Sequence, residues 1–278
     1  MKVTALTIDG KNDNPIDLPS VFDTQVRYNL IHNAFVSLNS HKFQKQGRHP
    51  TAGQDVVADS NDPPTGRGIS RIARMKGGGG GRQGQAGEVA STRGGRQAFP
   101  PNVKKVIYKK LNKKENKLAL CSAISATKLK EIIMARGHKI GNIENFPIIV
   151  SDEIETVEHT KDIVKILNSL NLMEDVNRLK SRKPRTGKSA LRGRGKKIGK
   201  SILFVVSKSE KLAKACGTIS GIDVKMVKEL SVLDLAPGAS PIRLTVYSKS
   251  ALDDIAKIKS SHLDLMVTIK WKLNRHKK

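Results

Sequence analysis

The chain has 278 residues, of which 51 are Lys or Arg and 25 are Asp or Glu, leaving a formal net charge of +26. That length holds a core large enough to need no disulfide or metal staple, while the charge far exceeds what solubility requires and calls for a polyanionic partner. No run approaches the roughly 20 apolar residues of a membrane-spanning helix, and the first residues lack an apolar signal core. The two cysteines, Cys121 and Cys216, stand among small or apolar neighbours with no second ligand at metal spacing, so an intracellular chain with reduced thiols is expected.

In chain order, residues 1–18 place Val3, Leu6 and Ile8 ahead of the turn-rich stretch 10–15, a pattern that predicts a hairpin outside the main strand–helix alternation. Residues 20–38 read as an amphipathic helix. Asn112 with Glu115 three positions later fits a capping box ahead of the Ala- and Leu-containing run 118–127. Four short aliphatic runs follow, at 147–150 (PIIV), 201–206 (SILFVV), 224–227 and 242–246 (IRLTV), and the first, second and fourth suit buried strands. Between and after them lie helical spacings: Ile163, Ile166, Leu167 and Leu170 within 160–170, and Leu252, Ile255 and Ile258 within 248–258. Alternating strand and helix predict a parallel sheet.

Two stretches break this pattern. From 40 to 101 the apolar residues give way to Gly, Arg, Gln, Asp and Pro, a length that compact domains seldom leave irregular without a functional reason. Eleven of the thirty residues from Gly66 to Gly95 are glycine, and Arg67, Arg71, Arg74, Lys76, Arg82, Arg93 and Arg96 face a single acid, Glu88. Glycine lets a backbone approach a phosphate surface and Arg grips phosphate oxygens in pairs. Ordering such a segment costs roughly 1 to 2 kcal/mol per residue, so the partner surface must be extensive. Phe99 is the one aromatic near its end, too few for a stacking platform of the single-strand-binding type, so recognition is expected through backbone and shape. The second stretch, 178–200, holds eleven Lys or Arg and no acid. Pro184 and its glycines exclude a long helix. Its candidate RNA contacts are Arg182, Lys183, Arg185, Lys188, Arg192, Arg194, Lys196 and Lys197.

Catalytic readings fare poorly. Residues 186–189 (TGKS) end like a phosphate-binding loop, but its first glycine would fall at Arg182 and no apolar strand leads into it. Gly79, Gly81 and Gly84 match GxGxxG inside a five-glycine run where a match is nearly automatic. The seven histidines form no ligand pair at helical spacing, so no metal site and no cofactor is expected. The acidic run 151–158 (SDEIETVE) lies between strand and helix, where helix-dipole and solvation roles are commoner than a catalytic carboxylate pair. No nucleophile, base and orienter stand out.

The sequence resembles the L-four family of large-subunit ribosomal proteins in its archaeal and eukaryotic form, over nearly its whole length. The resemblance rests on Leu18-Pro-Ser-Val-Phe-Asp23, Thr65-Gly-Arg-Gly68, Arg93-Gly-Gly-Arg96 with Pro100-Pro101, and Asn112-Lys-Lys-Glu115 with the run 118–127. Arg136-Gly-His138, Leu191-Arg-Gly-Arg194, Gly221-Ile-Asp-Val224 and Leu235-Ala-Pro-Gly238 extend it. It implies a three-layer α/β/α domain with a four-stranded, mainly parallel sheet, and a long Gly/Arg-rich loop reaching through ribosomal RNA to the wall of the polypeptide exit tunnel. There the loop would face a hairpin of the L-twenty-two protein, with Arg71, Arg74 and Lys76 lining the tunnel. The expected layout is one α/β domain over 1–278, with 40–101 an inserted RNA-binding loop, 178–200 a basic loop and 260–278 a basic tail. The chain departs from the family pattern at Asp59-Ser-Asn-Asp-Pro-Pro64, where a tryptophan is expected, and in its longer glycine run at 77–81. Large-subunit RNA and neighbouring ribosomal proteins are the expected partners, in the cytoplasm, without catalysis. Two rivals stand beside this reading. A nucleotide-dependent RNA enzyme would be revealed by ATP or dinucleotide binding, and a Gly/Arg RNA-binding module outside the ribosome by failure to cofractionate with large subunits.

Overall fold

The computed structural model describes residues 2–258 except 56–57, 61–65, 77–80, 141–142, 144, 197–198 and 242. The expected tail at 260–278, Thr65 and Lys197 lie outside the described residues. The chain divides into two units, one of residues 1–39 and 110–278, the other of 40–109.

The larger unit opens with β1 (Lys2–Leu6) and β2 (Asn12–Asp17), an antiparallel hairpin pairing Lys2 with Asp17. It lies outside the strand–helix alternation, as the sequence suggested, and it also extends the edge of the main sheet. Val3 and Ala5 are buried, and β1 docks in parallel beside β5 (Ile148–Val150) through Leu6 and Val150. Five alternating residues with one buried face are a strand that a sheet edge accepts.

The predicted helix over 20–38 divides into a 3-10 turn at Ser20–Asp23 and α1 (Tyr28–Ser40). The cause lies in the next helix of this unit. Ser125 Oγ donates to the carbonyls of Phe22 (2.9 Å) and Thr24 (2.5 Å), and Arg27 N donates to Ser122 Oγ (2.7 Å). Groups that a continuous helix would pair internally are thus taken by neighbouring side chains.

The smaller unit contains β3 (Ala58–Asp59) and β4 (Arg74–Met75). Beyond it come α2 (Lys113–Ala126) and α3 (Lys130–Ala135). Asn112 holds the N-cap position of α2 with extended backbone but makes no side-chain cap bond, so the expected capping box does not form. β5 leads to α4 (Thr160–Ser169), α5 (Met173–Lys180) and the single turn α6 (Lys188–Leu191). The chain then runs through β6 (Leu203–Val206), α7 (Glu210–Cys216), β7 (Asp223–Met226), α8 (Val232–Leu235), β8 (Thr245–Ser248) and α9 (Lys249–Ala256).

Among the described residues the sheet has six strands, ordered β2-β1-β5-β8-β6-β7, where four were expected; the terminal hairpin supplies the other two. All pairings but β1 with β2 are parallel. Strand alternation divides the core. Ile149, Leu203, Val205 and Tyr247 face Phe22, Ile31, Ile124 and Leu252, whereas Ile148, Val150, Phe204, Val206 and Val246 face Ile163, Leu167, Val176 and Leu212. Helices therefore cover both faces, as buried parallel strands require. Each such Leu or Ile contributes roughly 1.5 to 3 kcal/mol by leaving water. Burial pushes the Tyr247 phenol up to about 12, and its hydroxyl pairs with Thr127 Oγ1 at 3.1 Å. No helix among the described residues is long and apolar enough to cross a membrane.

Candidate nucleic-acid interface

The smaller unit contributes no described residue to either hydrophobic core. Backbone bonding holds it instead. Asp59 pairs with Arg74 and Ala58 with Met75 in antiparallel register, and Met75 N donates to Gln85 O (2.9 Å) while Gly84 N donates to Met75 O (3.0 Å). Residues 75 and 84–85 therefore bracket the glycine run. Ser40 Oγ accepts from Lys109 N (3.0 Å) and His41 stacks on Tyr108 at 5.3 Å, so the two ends of the unit meet.

The glycines of Arg93-Gly-Gly-Arg96 have a geometric cause. Gly94 sits at φ +75°, which L side chains avoid, and a Cβ on Gly95 would lie 2.0 Å from the Val89 carbonyl oxygen. Only glycine lets this turn close, and closing it leaves Arg93 and Arg96 exposed on either side. Arg67, Arg71, Lys76 and Arg82 are also exposed. Arg74 differs: its guanidinium donates to the carbonyls of Gly84 (2.9 Å) and Ser70 (3.4 Å), so it braces the unit. Lys76 pairs with Asp59 at 2.7 Å on the surface, a contact worth little in water.

In the larger unit the second basic stretch is a closed loop. Helix α5 brings Asp175 and Arg178 to its base, because positions three apart share a helix face. The Asp175 carboxylate is fully buried and accepts from His138 Nδ1 (3.0 Å), Lys139 N (3.1 Å), Arg178 Nε (2.8 Å) and Ser201 Oγ (2.5 Å). Burial pushes its pKa upward, but the bonds from His138, Arg178 and Ser201 overcome this and hold it well below the usual carboxylate range. Facing an ionised acid, His138 Nδ1 must carry the proton. Arg178 also donates to the Lys200 carbonyl (3.3 Å), joining the first residue of the stretch to the last. Higher up, Arg185 N donates to Gly195 O (2.8 Å) and Arg194 N to Ser189 O (2.8 Å) around α6. Arg182, Lys183, Arg185, Lys188, Arg192, Arg194 and Lys196 all emerge exposed from this frame.

Sequence reasoning missed the base itself. His138 was seen only as part of a motif and Asp175 not at all; an acid three residues before Arg178 was the available signal. Also missed was Arg243, 1% exposed inside an apolar run, whose guanidinium donates to the carbonyls of Ser201 (3.1 Å), Ile202 (3.3 Å) and Asp234 (3.1 Å) and to Asp223 (2.5 Å). It ties the end of the loop to β7 and α8.

The acidic run settles into a structural role. Glu155 accepts from Ser207 N (2.8 Å), Lys208 N (3.1 Å), Ser248 Oγ (2.7 Å) and Ser250 Oγ (2.9 Å), while Asp152 accepts from Ser250 N (2.8 Å). These acids occupy the carboxyl ends of β6 and β8, where doubly wound sheets receive nucleotide phosphates. At 186–189, α5 rather than a strand precedes the TGKS residues, so no phosphate-binding loop forms there.

The chain thus combines an α/β scaffold, a braced basic loop and a glycine-rich basic insertion, and these define a strongly basic α/β protein. The profile of the ribosomal protein L4/L1 family matches residues 16–258, and the chain belongs to that family. It is 40% identical over 258 residues to the large ribosomal subunit protein uL4 of Sulfurisphaera tokodaii, covering 92% of this chain and 94% of that protein. With uL4 of Methanosphaera stadtmanae identity is 36%, covering 92% and 97%, and with that of Halobacterium salinarum 35%, covering 92% and 100%.

Proposed function

We propose that the protein is a structural constituent of the large ribosomal subunit, cytoplasmic and without a reaction of its own, which binds large-subunit RNA and supports its folding. The observation that carries this reading is the braced loop at 178–200, a segment with no acid of its own, from which the seven described candidate cations project. A solvated loop has no need of a buried carboxylate fastening its base. Arg182, Lys183, Arg185, Lys188, Arg192, Arg194, Lys196 and Lys197 grip phosphate there, and Arg67, Arg71, Arg82, Arg93 and Arg96 do so from the insertion.

The insertion at 40–101 serves as the long Gly/Arg-rich loop of the family and runs through RNA to the exit-tunnel wall. Arg71, Arg74 and Lys76 lie toward its far end, opposite the L-twenty-two protein, with Arg74 supporting the turn from within. Family membership and the exposed cations carried along this stretch support the assignment. The test is binding of the full chain to a large-subunit RNA transcript across a salt series. Each phosphate contact contributes about 0.7 to 0.9 to the slope of log affinity against log salt. Neutralising Arg192, Arg194, Lys196 and Lys197 together should flatten that slope by about 3. Weaker binding at an unchanged slope would assign those side chains to protein structure and overturn the phosphate reading.

A further inference from the structure

Phe99 is 93% exposed, against 56% for Phe43, the other phenylalanine of the 40–101 insertion. The chain is hydrogen-bonded on either side of Phe99. Arg96 N donates to Glu88 O (3.0 Å) and Arg48 Nη1 to Gln97 Oε1 (2.9 Å) before it; after it, Asn102 Oδ1 accepts from Lys104 N (2.9 Å) and Asn102 O from Lys105 N (3.1 Å). Pro100 and Pro101 fix their own φ, and Pro100 restricts Phe99 to extended conformations. A bare ring on a backbone with few conformations loses little entropy when it meets a partner.

The chemistry around the ring selects that partner. From 89 to 109 the chain carries Arg93, Arg96, Lys104, Lys105 and Lys109 and no acid. The cores of protein interfaces are depleted of charge, whereas aromatic rings flanked by cations are how proteins hold unpaired bases beside their phosphates. Tyr108, in the same unit, has one face stacked on His41 and is less exposed. Among the described residues no ring contacts Phe99. We infer that Phe99 stacks on an unpaired base of the RNA bound by this protein, so that recognition by the insertion includes one base plane besides backbone and shape. The inference rests on the RNA-binding reading above and identifies a contact within it.

The experiment measures binding of a large-subunit RNA transcript to the full chain and to Phe99→Ala, Phe99→Leu and Phe99→Trp across a salt series. An exposed side chain leaves folding untouched, so all four proteins are comparable. Loss of one stacked base corresponds to roughly a 5- to 150-fold weaker affinity. Ala and Leu should both show that loss at an unchanged salt slope, and Trp should retain affinity, with emission quenched on binding beyond any change from Trp271. Affinity restored by Leu would make the ring an apolar filler, and affinity unchanged in Ala would remove it from the interface. Either result overturns the stacking assignment while leaving a steep salt slope, and with it the RNA-binding reading, intact. A parent chain with no salt-dependent RNA binding would overturn both.

Discussion

Replacing Asp175 with Ala removes the fastening at the base of the 178–200 loop and leaves His138, Arg178 and Ser201 facing a buried gap. Removing one partner of a buried, hydrogen-bonded charge pair costs about 3 to 5 kcal/mol. For a protein of this size, at roughly 2 to 4 °C per kcal/mol, the melting temperature should fall by about 6 to 20 °C. Asp175→Asn keeps the shape and some acceptors, so it should lose less, about 1 to 3 kcal/mol. The folded-state pKa of Asp175 lies below its ordinary 3.8, so its contribution is complete above that value and is lost as pH falls through the folded pKa. Wild type and Asp175→Ala should therefore differ fully near neutrality and converge in strong acid. Thermal unfolding followed by circular dichroism across pH measures this. RNA affinity should fall in parallel at an unchanged salt slope, because every loop cation remains. A loss under about 1 kcal/mol, or a gap between the two proteins that persists unchanged into strong acid, would refute the reasoning.

Arg243→Met should destabilise the chain by about 3 kcal/mol or more, since three backbone carbonyls lose their donor inside the fold; a urea midpoint that stays fixed would contradict this. Cys216 is buried and its thiol is pushed up to about 12 by desolvation, so it should resist alkylation at pH 8 until the protein unfolds, and rapid labelling of the native chain would count against the packed core. Lys76→Glu should leave subunit assembly intact while altering tunnel-dependent translation arrest, whereas Arg194→Glu should impair assembly. If Lys76→Glu blocks assembly as severely and leaves arrest untouched, Lys76 is an anchor and not part of the tunnel wall.

Much of the sheet was legible because its strands are short, aliphatic and followed by helices of clear period. The runs at 147–150 and 201–206 contain β5 and β6, and the spacing of Ile163, Ile166 and Leu167 marks α4. What failed was long-range. Nothing within 1–18 reveals that Leu6 will pair with Val150, so the hairpin was legible but its place at the sheet edge was not, and the four strands that the resemblance implied fall two short. The break between Phe22 and Tyr28 depends on Ser122 and Ser125, a hundred residues away in sequence. Of the interface, charge was legible and its scaffolding was not. Arg192 and Arg194 stand out in any count of cations, but that Asp175 ties down their loop, or that Arg74 turns inward onto Gly84, follows only from the folded chain.

The most direct test of the account is whether the chain, expressed with an affinity tag, stays with large ribosomal subunits through a high-salt wash. Retention in the large-subunit fraction, reduced when the cations of 178–200 are neutralised together, is the result expected of a structural constituent that holds RNA through that loop. Release of the parent protein into the soluble fraction, or equal retention of the neutralised chain, would contradict it.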